Sequence, residues 1–108
     1  MVLTRSFKEF VKARVESDPE FRHALLQEAV QTLISGDADT ARAVLRDYIN
    51  ATIGFAALAE ATGTPSKSLM RMFGPNGNPT AANLSGVISV LQEKTGVHLE
   101  VRAVEPAA

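Results

Sequence analysis

Residues that end one helix and begin the next recur along this chain at short intervals. Asp18-Pro19, Gly36, Gly54, Gly63, Thr64-Pro65 and the run from Gly74 to Pro79 are the punctuation. Between them the apolar residues fall at helical spacing, so the sequence is restricted to a set of short helices packed on one another. With 108 residues, that set has one small core.

From Thr4 to Val15, Phe7, Phe10, Val11 and Val15 form an apolar stripe while Arg5, Lys8 and Lys12 line another, which predicts a first amphipathic helix. Asp18 caps a second, because its carboxylate accepts from first-turn amides, and Pro19 fits a position where no amide is needed. That helix runs to about Ser35 with a core stripe of Phe21, Leu25, Ala29 and Leu33, flanked by Leu26, Val30 and Ile34. Asp37 or Asp39 caps a third, in which Ala41, Val44, Leu45, Tyr48 and Ile49 face inward, ending near Ile53 and Gly54. Phe55 to Ala61 reads as a fourth, closed by Thr62 and Gly63, and Thr64-Pro65 opens a fifth that stops before Gly74. Two glycines and two prolines in the six positions from Gly74 to Pro79 demand a loop, followed by a sixth helix over roughly Thr80 to Lys94.

Beyond Thr95-Gly96, Val97, Leu99 and Val101 alternate with His98, Glu100 and Arg102, the period of a β-strand over 96–104. With no second strand in the sequence, its partner is another copy or a different protein's sheet edge. The tail 105–108 is expected to be disordered. The predicted fold is therefore all-α: a compact, single-domain bundle of five to six helices, with N-terminal helices over 1–53, a helix-turn-helix region over 54–95 and a short C-terminal strand.

Composition excludes several classes. Apolar residues at 45% and charged residues at 21% are those of a globular domain and not of a disordered chain. The absence of cysteine rules out disulfides and thiolate metal sites. No apolar run approaches the roughly twenty residues that span a bilayer, and the charged start lacks a signal peptide's apolar stretch, so a soluble cytoplasmic protein is expected. A net charge of −1 leaves nucleic acid open, because a near-neutral total hides a local basic face.

The segment 55–73 carries the functional expectation. In a helix-turn-helix two short helices cross steeply, which requires a small residue at their contact and often a glycine in the turn; Ala59 and Gly63 have that spacing. Leu58, Leu69, Met72 and Phe73 supply the buried side. Ser66, Lys67 and Arg71 then point outward from the start of the second helix, where a helix in the major groove meets base edges. Arg71 is suited to guanine, Lys67 to guanine or phosphate, and Ser66 and Ser68 to shorter polar contacts. The plain alternative is that the two helices simply pack and Lys67 and Arg71 are a solvated face.

From Phe55 to Val101 the chain resembles lambda-repressor-like, Xre-type helix-turn-helix proteins, and more narrowly the HigA-like addiction-module antidote proteins. The resemblance is carried by Lys67-Ser68-Leu69-Met70-Arg71-Met72-Phe73 leading into Gly74-Pro75-Asn76-Gly77-Asn78-Pro79-Thr80, then an amphipathic helix and an alternating tail. It implies an antitoxin that binds its own operator DNA as a homodimer, represses its operon and neutralises a RelE/ParE-like toxin. By position it implies DNA contacts at Pro65, Ser66, Lys67, Ser68 and Arg71, and at Asn76, Asn78 and Thr80 in the following loop. Pro65 stands where family members often have a capping serine, and Ser66 where a basic residue is common. Other readings are a stand-alone or phage-derived regulator, and a protein-interaction module with weak or lost DNA binding.

Nothing in the sequence points to catalysis or a cofactor. Asp18 with Glu20 and Asp37 with Asp39 sit at helix starts, where negative charge suits the dipole, and His23 and His98 lack ligand spacing with any other metal-binding residue. Gly74 to Gly77 has no P-loop lysine. The stripe of Arg5, Lys8 and Lys12, with Arg14 nearby, is either a contact to the DNA backbone or an acidic partner, or a solvated helix face.

Overall fold

Asp18 ends one helix and starts the next. Its carboxylate accepts from the amides of Glu20 and Phe21 at 3.1 and 3.2 Å, while Arg14 Nε donates to it at 3.0 Å from the preceding turn. The Arg14 hydrogen bond, with the Phe21 and Glu20 amides, holds the Asp18 carboxyl below its ordinary pKa. Asp37, not Asp39, plays the same part for the third helix by accepting from the Thr40 amide at 3.1 Å.

The computed structural model describes the backbone of residues 5–107 and the side chains of residues 9–107. Six helices are present among the described residues: α1 Arg5–Ser17, α2 Pro19–Ile34, α3 Ala38–Ala51, α4 Gly54–Thr62, α5 Ser66–Met72 and α6 Ala81–Thr95. The chain is compact, with a radius of gyration of 14.0 Å. No helix among the described residues is long and apolar enough to cross a membrane.

The α2–α3 pair makes the broadest contact in the fold, α1 lies across both, and α4 links α3 to α5 and α6. Leu26, Ala29, Leu45, Tyr48 and Ile49 from the first pair meet Phe55, Leu58, Leu69, Phe73, Val87 and Leu91 in one continuous core. Within that core the buried Tyr48 donates its hydroxyl to Thr95 Oγ1 at 2.8 Å, and Thr95 Oγ1 donates to the Leu91 carbonyl at 2.6 Å. A polar pair thus stitches α3 to the end of α6 and satisfies a phenol that would otherwise be stranded.

Two expectations are corrected. Phe10 is 62% and Ile34 60% exposed, because Val15 on α1 and the Leu26 and Ala29 turns on α2 are the positions that face the other helices. Phe7, Arg5 and Lys8 have side chains outside those described. The strand expected over 96–104 is not formed within the single chain, since a ladder needs a second strand and none exists among the described residues. Instead Val97 is buried, Leu99 packs against the core, and Gln92 Oε1 accepts from the Leu99 amide at 2.8 Å, so the segment starts out anchored along α6.

Candidate nucleic-acid interface

The turn between α4 and α5 is set by Gly63. Its φ of 74° and ψ of 11° lie in the left-handed region that glycine enters without steric cost, and its amide donates to the Ala59 carbonyl at 2.9 Å. Thr62 Oγ1 donates to the Leu58 carbonyl at 2.8 Å and accepts from the Thr64 amide at 3.3 Å, which braces the other side of the turn. Pro65 follows in an extended conformation with φ −56° and ψ 141°, and its carbonyl accepts the first bond of α5, from Leu69 N at 3.1 Å.

Leu69 and Phe73 anchor α5 from below: each is 1% exposed. The Phe73 ring meets Phe55 at the start of α4, with centroids 6.4 Å apart and planes inclined by 51°, so the C-terminal end of α5 is tied to the N-terminal end of α4. With that side fixed, Lys67, Met70 and Arg71 are exposed on the other, at i, i+3 and i+4 of one helical face. Ser66 and Ser68 are half-buried at the flanks, and Pro65 is exposed at the entry.

Past α5 the chain folds back on itself. Gly77 N donates to the Gly74 carbonyl at 3.0 Å, closing a four-residue turn with proline second and glycine fourth, the preferences of the commonest β-turn. Gly77 rests so close to the Met72 and Arg71 carbonyls that a Cβ there would collide with backbone. Arg42 reaches from α3 to the same turn, its Nε donating to the Gly74 carbonyl at 2.9 Å and its Nη2 to the Pro75 carbonyl at 3.3 Å. Asn76 and Asn78 are therefore presented, exposed, on a backbone held from two sides. Thr80 is exposed too, but its hydroxyl accepts from the Asn83 amide at 3.1 Å as the cap of α6, so its primary role is to start that helix.

Charge along this stretch of the sequence is one-sided, while in space Arg42 brings the exposed Asp39 to the loop after α5, its Nη2 donating to Asp39 Oδ1 at 3.1 Å as well as to the Pro75 carbonyl. Between Glu60 and Glu93 the sequence has no carboxylate, and Lys67 and Arg71 are the only charged residues. Neither takes part in a salt bridge among the described residues, where the two ion pairs are Arg14 with Asp18 and Arg42 with Asp39. The same stretch carries Thr64, Ser66, Ser68, Asn76, Asn78 and Asn83, neutral groups that donate and accept hydrogen bonds.

Compared with known proteins, the chain matches no family model, no curated protein and no solved structure. What this surface can bind therefore rests on its own chemistry. Two unpaired cations one helical turn apart, on a rigidly seated helix bordered by neutral hydrogen-bonding groups, suit a polyanion with donor and acceptor edges.

The DNA-contact residues singled out in the sequence thus fall on α5, at Pro65 just before it, or on the loop after it that ends at Thr80. Two were missed. Met70 is 53% exposed and flanks Lys67 and Arg71 on the outer face; continuing the helical period from Lys67 would have found it. Arg42 had no local signal, because its partners are 32 and 33 residues away. Arg14, near the basic stripe, is engaged by Asp18 and lies 5.0 Å from the Phe21 ring centroid, whereas Lys12 is exposed. His23 and His98 are both exposed, and no three metal-binding side chains gather among the described residues.

Proposed function

We propose that this protein is a sequence-specific, double-stranded DNA-binding repressor in which α4 and α5 act as a helix-turn-helix and α5 enters the major groove. The carrying observation is the exposed Lys67–Arg71 face in a stretch free of carboxylates. A groove lined by phosphates rejects carboxylates, and a free guanidinium is the side chain best matched to the paired acceptors of guanine. Arg71 is the charged base reader, Lys67 contacts phosphate, Ser66 and Ser68 make shorter contacts, and Pro65, Asn76, Asn78 and the start of α6 at Thr80 lie along the DNA backbone.

One short helix with two cations reads too little DNA alone, so the protein acts as a homodimer on a pseudo-palindromic operator. The resemblance of residues 55–101 to HigA-like antidotes supports an antitoxin that represses its own operon and masks a RelE/ParE-like toxin; no enzymatic role is proposed. A stand-alone regulator is the alternative that keeps the same DNA chemistry. A protein-interaction role is favoured by a separate feature, Val101 and Val104 at 75% and 76% exposure on the tail.

The test is a mobility-shift titration on the DNA upstream of the chain's own coding sequence, wild type against Lys67→Ala/Arg71→Ala, at two salt concentrations. A specific shift that weakens with salt and is lost in the folded double variant is expected. A folded wild type that gives no shift at low salt rejects autorepression by this protein alone. Co-purification with a small basic protein encoded next to it tests the antitoxin assignment separately.

A further inference from the structure

The tail beyond α6 begins anchored and ends free. Burial alternates through Val97, His98, Leu99 and Glu100, the period of an extended chain, and the Leu99 amide is turned toward Gln92 on α6. In an extended chain successive residues direct their N–H and C=O groups to opposite edges, so a strand continued from Leu99 turns those of His98, Glu100, Arg102 and Val104 away from α6. Among the described residues no backbone group from Glu100 onward has a protein hydrogen-bond partner, and Val101 and Val104 are largely exposed.

We propose that this free edge pairs antiparallel with the same edge of a second copy, with Glu100 opposite Arg102 of the second copy and Val101 opposite its own counterpart. The inference rests on the homodimer reading and specifies its contact. Charge selects the register. In a symmetric antiparallel pair the hydrogen-bonded positions must be those with free groups, the even-numbered residues. Placing Glu100 opposite Arg102 gives two opposite-charge pairs across the two-fold axis and sets His98 opposite Val104. Sliding one way puts Glu100 against Glu100. Sliding the other way puts Arg102 against Arg102 and His98 against Pro106, which has no N–H to give. A further slide to Leu99 on Leu99 runs into Gly96, the left-handed cap of α6 at φ 71°, opposite Arg102, and leaves Val104 unpaired. Two strands alone are marginal in water, but Val97 and Leu99 seat this ribbon on the helical core, which supplies the backing such a pair needs.

The chain has no cysteine, so single-cysteine variants report the register directly. Sedimentation equilibrium of the wild type is expected to show a monomer–dimer equilibrium. Glu100→Arg and Arg102→Glu, which change only exposed tail residues, are each expected to weaken the dimer roughly ten-fold. Mixed one to one, they are expected to recover it as a heterodimer. Under mild oxidation Val101→Cys is expected to cross-link to a covalent dimer, and Lys94→Cys on α6 is not. A wild type that stays monomeric at every concentration overturns the homodimer reading and this contact with it. A wild-type dimer indifferent to both charge changes, with Val101→Cys no faster to cross-link than Lys94→Cys, overturns the tail pairing and leaves the homodimer standing.

Discussion

The Arg42 guanidinium donates to the Gly74 carbonyl at 2.9 Å, joining α3 to the turn that follows α5. Its side chain is 12% exposed and a second bond reaches the Pro75 carbonyl, so the fork is held nearly out of solvent. Hydrogen bonds from a charged donor in such a setting are worth about 1.5–3 kcal/mol, and an ammonium lacks the fork geometry. Arg42→Ala is expected to lower unfolding free energy by about that amount, with Arg42→Lys recovering less than half. Urea denaturation measures the loss; unchanged stability in Arg42→Ala would show that the loop is held without it.

That relationship marks where reading the sequence stops. The six helices, the cap at Asp18 and the glycine turn at Gly63 were legible, and the cap of the third helix was narrowed to Asp37 or Asp39, because each is fixed by residues a few positions apart. Phe10 and Ile34 were misplaced since an amphipathic stripe gives the apolar side of a helix but not how far along it the neighbours extend. On α5 the buried side defined the exposed one, so Lys67 and Arg71 were found. Arg42 depends on two segments meeting in space and leaves no periodic trace. The tail's alternation was visible, but alternation alone does not create a strand without a neighbour.

Gly77 and Gly86 respond to alanine in opposite directions. At Gly77 a Cβ meets the Met72 and Arg71 carbonyls, which belong to backbone and cannot swing aside, so Gly77→Ala is expected to destabilise by about 1–3 kcal/mol. Gly86 lies inside α6 with nothing within 4 Å of the added methyl. There alanine removes backbone freedom from the unfolded chain, and Gly86→Ala is expected to stabilise by about 0.5–1 kcal/mol. Thermal unfolding of the two variants side by side checks both signs.

The pair of Tyr48 and Thr95 gives stability an alkaline limb. Burial, partly offset by the Thr95 hydrogen bond and the nearby Arg22 charge, raises the Tyr48 phenol above its ordinary pKa. The folded state thus holds this proton more tightly than the unfolded chain does. Its contribution is complete below the unfolded value, about 10, and is lost as the pH rises past that toward the folded value. Tyr48→Phe is expected to flatten this loss and to cost about 1 kcal/mol at neutral pH. Thr95→Val is expected to cost more, about 1–3 kcal/mol, because it strands the buried phenol without an acceptor. Denaturation midpoints between pH 8 and about 11 for the three proteins test the order and the slope.

On the proposed interface, Lys67, Met70 and Arg71 share one face of α5 and differ in what they can read. A guanidinium fork fits the two acceptors of guanine, so Arg71→Ala should lose about 1–3 kcal/mol at one base pair and relax preference there while leaving other positions alone. A lysine on phosphate discriminates nothing; Lys67→Ala should weaken all sequences evenly and reduce the slope of log affinity against log salt by about one. Met70 has no hydrogen-bonding group to offer a base edge, but its exposed thioether chain can cover a thymine methyl. Met70→Gln should then remove a preference for thymine with the salt slope unchanged. Binding measured across a set of single-base operator variants at several salt concentrations separates the three. An Arg71→Ala protein that loses affinity equally on every sequence would move that residue from base reading to the phosphate backbone.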